Sequence, residues 1–128
     1  MTNLLVVDDE PSLLEALATI LADAGYQVQA VTSGQAALQA LEASKGGLPD
    51  LIIADIVMFE MTGLQLFEAV RGYPDLSGIP FLFTSAFVSP EREELIAGLS
   101  NAALLFKPFE VEELLSAIES ICGSALKQ

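Results

Sequence analysis

The chain has 128 residues, 52% of them hydrophobic, which favours one domain with a sizeable core. Five basic residues against eighteen acidic ones give a formal charge of −13, which opposes binding to nucleic acid or anionic lipid and points to protein partners. One cysteine excludes an internal disulfide, no apolar run approaches the ~18–20 residues of a membrane span, and the N-terminus lacks the basic head of a signal peptide; a reducing, cytoplasmic compartment is expected.

In chain order, Leu4-Leu5-Val6-Val7 is a first strand that ends on Asp8 and Asp9. Leu13, Leu14, Leu17, Ile20 and Leu21 follow at helical spacing, with Pro11 tolerated in the first turn and Gly25 as a stop. Tyr26 to Val31 alternates as a second strand, Ser33 is placed to cap a helix through Ala43, and Lys45-Gly46-Gly47-Leu48-Pro49 reads as a loop. Leu51-Ile52-Ile53-Ala54, entered through Pro49-Asp50, is a buried third strand whose carboxyl edge holds Asp55. A third helix runs from near Gly63 to about Arg71, and Gly72-Tyr73-Pro74 and Ser77-Gly78 punctuate the way to a fourth strand, Ile79 to Thr84. Ser89-Pro90, an N-cap followed by proline, opens a fourth helix with Leu95, Ile96 and Leu99 inward and Glu91-Arg92-Glu93-Glu94 as a solvated face. Ala102 to Phe106 is the fifth strand. Val111, Leu114, Leu115, Ile118, Ile121 and Cys122 mark a last amphipathic helix, in which Cys122 reads as core rather than as a reactive thiol.

Five β-α pairs without a repeat predict an α/β fold, a doubly wound parallel sheet with helices on both faces. Residues 1–122 form that domain, and 123–128 are a frayed tail or the start of a linker.

In such sheets the functional crevice lies beyond the carboxyl ends of the strands, where Asp8, Asp9 and Asp55 are placed together. Crowded carboxylates resist ionisation unless a cation sits among them, and hard oxygen ligands suit Mg²⁺, so the pattern proposes a divalent-metal site beside a candidate nucleophile, Asp55. The fourth strand delivers the hydroxyls of Thr84-Ser85-Ala86 to the same rim, and the fifth delivers Lys107-Pro108. Lys107 alone among the basic residues is embedded in an apolar stretch, so it needs a counter-charge, and an X-Pro bond beside it is able to adopt cis and aim it inward. Carboxylate, metal, hydroxyl and ammonium are the parts that phosphoryl transfer requires. Singly, each has a blander reading: Asp8 and Asp9 at a helix dipole, Asp55 as a cap, Ser85 in a turn, Lys107 snorkelling. Their joint arrival at four strand ends favours the site. Met58, Phe59 and Met61 read as packing residues rather than a cofactor box.

From Leu4 to about Ile121 the chain resembles the response-regulator receiver domain of two-component signalling. The resemblance rests on Val7-Asp8-Asp9-Glu10, Asp55, Ser85-Ala86 and Lys107-Pro108-Phe109, and on Asp55-Ile56-Val57-Met58-Phe59-Glu60-Met61-Thr62-Gly63, which is similar to the family's Asp-x-x-Met-Pro-x-Met-x-Gly. It implies a flavodoxin-like sheet of order 2-1-3-4-5 with five helices. It further implies that Asp55 accepts a phosphoryl group from a phosphohistidine on a sensor histidine kinase or phosphotransfer protein. Asp8, Asp9, Asp55 and the main-chain carbonyl of Val57 would bind Mg²⁺ or Mn²⁺, Lys107 would pair with the phosphoryl oxygen, and Ser85 rather than Thr84 would be the switch hydroxyl. Val57 and Phe87 would flank the path of attacking water. Output would pass to a protein target or an output domain, with a homodimer compatible. The chain has no histidine, so the phosphohistidine must come from elsewhere.

Three departures stand out. Phe59 replaces the usual proline, which leaves that loop less rigid and adds apolar surface near the site, Ser100-Asn101 replaces the usual Gly-Ala, and Leu104 stands where the family usually carries the tyrosine or phenylalanine that rotates on activation. An aspartate-nucleophile phosphatase would want an acid at position 57, which is valine, and a mononucleotide binder would not place Asp8-Asp9-Glu10-Pro11 after its first strand. The alternative is a degenerate receiver, a phosphate-independent interaction module, whose usual mark is loss of an acid or the lysine; none is lost.

Overall fold

A computed structural model of the chain describes residues 2–43 and 47–123. The expected loop positions Lys45 and Gly46 and the tail 124–128 lie outside the described residues. Five strands, β1 (Asn3–Val7), β2 (Gln27–Val31), β3 (Leu51–Asp55), β4 (Phe81–Ser85) and β5 (Ala102–Phe106), alternate with α1 (Pro11–Asp23), α2 (Gly34–Ala43), α3 (Gly63–Arg71), α4 (Pro90–Ala97) and α5 (Val111–Ile118). Each strand pairing is parallel, the doubly wound arrangement that the sequence predicts, and the order is β2-β1-β3-β4-β5, the flavodoxin-like order that the resemblance implies.

Two cores follow from the two-residue period of the strands. Leu5 and Val7 of β1 join Ile52, Ala54, Phe81 and Phe83 beneath α2, α3 and α4, whereas Leu4 and Val6 join Leu51, Ile53 and Leu82 beneath α1 and α5. β3 and β4 are buried at every position, which is why they read as unbroken apolar runs, while the edge strands β2 and β5 are partly exposed. On the first face the rings of Phe67, Phe81 and Phe83 lie with centroids between 5.1 and 5.7 Å apart, and the Arg71 guanidinium sits 4.2 Å from the Phe67 centroid while donating to the Ile79 carbonyl.

The starts of α2, α3 and α4 carry side-chain hydrogen bonds. Ser33 Oγ accepts from Ala36 N at 3.0 Å and Ser89 Oγ from Arg92 N at 3.3 Å, as the sequence suggests. At α3 a reciprocal pair, Gln65 N to Thr62 Oγ1 and Thr62 N to Gln65 Oε1, forms a capping box that the sequence reading did not single out.

Four expectations need correction. β4 starts at Phe81 rather than Ile79, because Ile79 N donates back to Leu76 O and Pro80 has no N–H; it ends one residue later, at Ser85. β2 starts at Gln27, since Tyr26 N donates to Leu21 O of α1. Leu95 is 56% exposed, so α4 packs through Ile96, with Leu99 reaching the core from beyond the helix end, and Val111 is likewise exposed in the first turn of α5. Finally, α5 ends at Ile118 and a π-helical turn, Glu119–Gly123, carries Ile121 and Cys122. Cys122 is buried as expected, and burial, with the charge of Asp50 second, pushes its thiol pKa up. Among the described residues no helix is long and apolar enough to cross a membrane.

Candidate functional site

Strand order reverses at β1, which pairs with β2 on one side and β3 on the other, so the carboxyl ends of β1 and β3 frame an open crevice. Asp8 follows β1 and Asp55 closes β3; both are buried, while Asp9 is exposed at the lip. One carboxylate oxygen from each of the three lies within 4.8 Å of the others. An all-oxygen donor set this close fits a hard divalent cation such as Mg²⁺ or Mn²⁺.

Main-chain geometry aims the acids. Asp8 Oδ1 accepts from Glu10 N at 2.9 Å and Asp55 Oδ1 from Val57 N at 3.1 Å, each an acid hydrogen-bonding two residues onward, while Asp9 Oδ2 accepts from Phe59 N at 2.7 Å. Gly63 lets α3 close onto the end of β3: a Cβ there would stand 2.5 Å from the Asp55 carbonyl oxygen. Gly63 N donates instead to Ile56 O at 2.9 Å. The spacing Asp55 to Gly63 was legible in the sequence, but the contact that demands glycine was not.

β5 brings the cation. Lys107 N donates to Ser85 O at 2.8 Å, the Lys107-Pro108 bond is cis as the sequence allows, and Lys107 Nζ lies 2.9 Å from Asp55 Oδ2 and 3.3 Å from Asp8 Oδ2. Burial pulls the Lys107 ammonium toward neutrality, but hydrogen bonding and attraction from Asp55, then Asp8, outweigh it and leave its pKa raised. An ammonium charged at neutral pH is therefore fixed against the candidate nucleophile.

The remaining sequence candidates fall around this pair. Thr84 and Ser85 are both buried, with Thr84 opposite Asp55 in the ladder. Ser85 Oγ donates to Phe87 O at 2.8 Å, a tether to the β4–α4 loop that the sequence reading missed. Val57 and Phe87 are 63% and 76% exposed, respectively. Met58 is buried and Met61 packs against the core, as expected, but Phe59 is 77% exposed and is not a packing residue. Its neighbour Glu60 holds φ at 70° and Met61 N donates to Phe59 O at 2.8 Å, so the loop turns tightly there and throws the ring outward. Leu104 is opposite Phe83, partly buried against the first core.

The family model of the response regulator receiver domain matches residues 4–119. The chain is 36% identical over 120 residues to the transcriptional regulatory protein DltR of Streptococcus agalactiae, covering 91% of this chain and 50% of that protein. It is 28% identical over 123 residues to the polar-differentiation response regulator DivK of Brucella ovis, covering 96% of this chain and 98% of that one. The chain thus spans about half the length of the first and nearly all of the second. Among solved structures, the chemotaxis response regulator CheY4 of Vibrio cholerae superposes with a TM-score of 0.83 at 31% identity, over 94% of this chain and 98% of that one.

Proposed function

The chain belongs to the response regulator receiver domain family, and from that premise we propose that it is a phosphoacceptor in a two-component phosphorelay, with Asp55 as the acceptor. The observation that carries the reading is Lys107 Nζ at 2.9 Å from Asp55 Oδ2, beside carboxylates within 4.8 Å of one another. In the reaction an Asp55 carboxylate oxygen forms a bond to phosphorus as the P–N bond of a donor phosphohistidine breaks, giving an acyl phosphate. Lys107 neutralises charge on the transferred oxygens and holds Asp55 pointed at the donor. Asp8, Asp9, Asp55 and the Val57 carbonyl would hold Mg²⁺, which supplies further positive charge to the phosphoryl oxygens. The Ser85 hydroxyl then exchanges the Phe87 carbonyl for a phosphoryl oxygen, which frees the β4–α4 loop.

The donor is a sensor histidine kinase or a histidine phosphotransfer protein, and the output is a protein target or output domain rather than direct contact with nucleic acid. No acid stands at position 57 to drive turnover, so the chain catalyses only its own phosphorylation and slow dephosphorylation, in the cytoplasm. Intact mass after incubation with a small acyl phosphate tests this: one phosphoryl group is gained with Mg²⁺ and none in excess chelator. A chain that never gains mass would be the phosphate-independent interaction module.

A further inference from the structure

Asp9 is the exposed member of the acidic cluster, and a side chain at a lip is free to leave it. What holds it is the Phe59 N–H, which donates to Asp9 Oδ2 at 2.7 Å, a short distance of the kind seen when a carboxylate accepts. Phe59 therefore matters through its main chain: a proline in this place has no N–H to give. The donor sits in a constrained loop, with Met61 N returning to Phe59 O at 2.8 Å across Glu60 at φ 70°, and Val57 N and Gly63 N fixing the loop at either side. Bonding to Asp9 ties the loop to the residues that follow β1, beside the packing of Met58 in the core that Val7 shares.

We propose that Phe59 is a positioning residue for the acidic site: its N–H holds the Asp9 carboxylate in the cluster and couples divalent-cation binding to the β3–α3 loop that displays the Phe59 ring. The proposal rests on the metal site proposed above. Oδ2 keeps one lone pair and Oδ1 both, so the bond orders Asp9 without blocking coordination. Ordering one rotamer-rich side chain in advance is worth about two- to tenfold in affinity. By reciprocity, a cation on Asp9 steadies the loop by the same factor as the loop strengthens the cation. The loop that displays the exposed aromatic ring is thus steadied when the site is loaded.

The test compares Phe59→Ala, which keeps the N–H, with Phe59→Pro, which lacks it, in Mg²⁺ titrations of the unphosphorylated protein followed by amide NMR. Phe59→Pro should bind about two- to tenfold more weakly than Phe59→Ala. A second arm needs no metal and no proline: exchange of the Phe59 amide should stay slow in Asp9→Asn, which keeps an oxygen acceptor, and quicken at least about tenfold in Asp9→Ala. Equal Mg²⁺ affinity in the two Phe59 variants, or unchanged exchange in Asp9→Ala, would overturn the positioning role. If the wild type binds no Mg²⁺ while the exchange pattern holds, the metal reading fails, and the coupling to cations with it.

Discussion

Lys107 faces two buried carboxylates, and that single side chain decides how the crevice behaves without metal. In Lys107→Met, Asp8 and Asp55 lose their cation, so the metal-free protein should be destabilised by about 1–3 kcal/mol, with part of the loss recovered on adding Mg²⁺. Chemical denaturation midpoints with and without the ion check this. Because the folded pKa of Lys107 is raised, its stabilisation is complete below the ordinary lysine value and is lost as pH rises through the folded value. The gap between wild type and Lys107→Met should thus be full near pH ~8 and narrow above pH ~10.4. Val57 and Phe87 are exposed and apolar, with nothing to orient a water, so on the proposed function Val57→Asn with Phe87→Gln should speed loss of the phosphoryl group, by about tenfold or more. Equal decay rates, followed by intact mass, would assign water access to another feature. At this scale the acids, Ser85 and Lys107 were legible because each ends a strand. The N–H bond from Phe59 to Asp9 was not, and the sequence offered Phe59 both as added surface and as a packing residue, since a loop has no period from which to read the direction of a side chain.

Elements place those residues, and Gly63 is where the placement is tightest. Gly63→Ala would set a methyl 2.5 Å from the Asp55 carbonyl oxygen and 3.1 Å from Ile56 Cα, neither of which is a flexible side chain. The variant should lose about 1–3 kcal/mol in denaturant melts and displace Asp55 from Lys107. All ten elements could be read from apolar runs, helical periods and the caps Ser33 and Ser89, because the buried strands and the inner helix stripes have to be apolar. The errors lie at the edges of that logic. Leu95 belongs to the period that includes Leu99, yet α4 seats itself on Ile96, one residue and about 100° round the helix. Ile79 is buried and apolar like a strand residue, but its amide belongs to the turn closed by Leu76. Burial alone does not tell a ladder residue from a buried turn.

Across the whole molecule, the strand order β2-β1-β3-β4-β5 is the one the family resemblance implies, right-handed crossovers put helices on both faces of such a sheet, and the site follows from the reversal at β1. On the proposed function, signal output passes through the β4–α4 loop and the face beside β5. Leu104 lies beneath a groove of about 210 Å³ between α4 and β5, lined also by Ile96, Ala97, Ala102 and Phe106, and it has no hydroxyl to report its position. The proposed release of Phe87 by Ser85 should then carry the change, centred on residues 86–95. Amide exchange or NMR shifts with a stable phosphoryl mimic should move there first and less at 102–109; silence in both segments would mean that output leaves by another face. The most direct measurement of the central claim is phosphoryl transfer from a phosphohistidine protein to the wild type and to Asp55→Asn side by side, with Mg²⁺, read by intact mass. The account predicts one phosphoryl group on the wild type and none on Asp55→Asn. An equal gain on both, or no gain on the wild type from any such donor that phosphorylates another receiver in the same experiment, would contradict it.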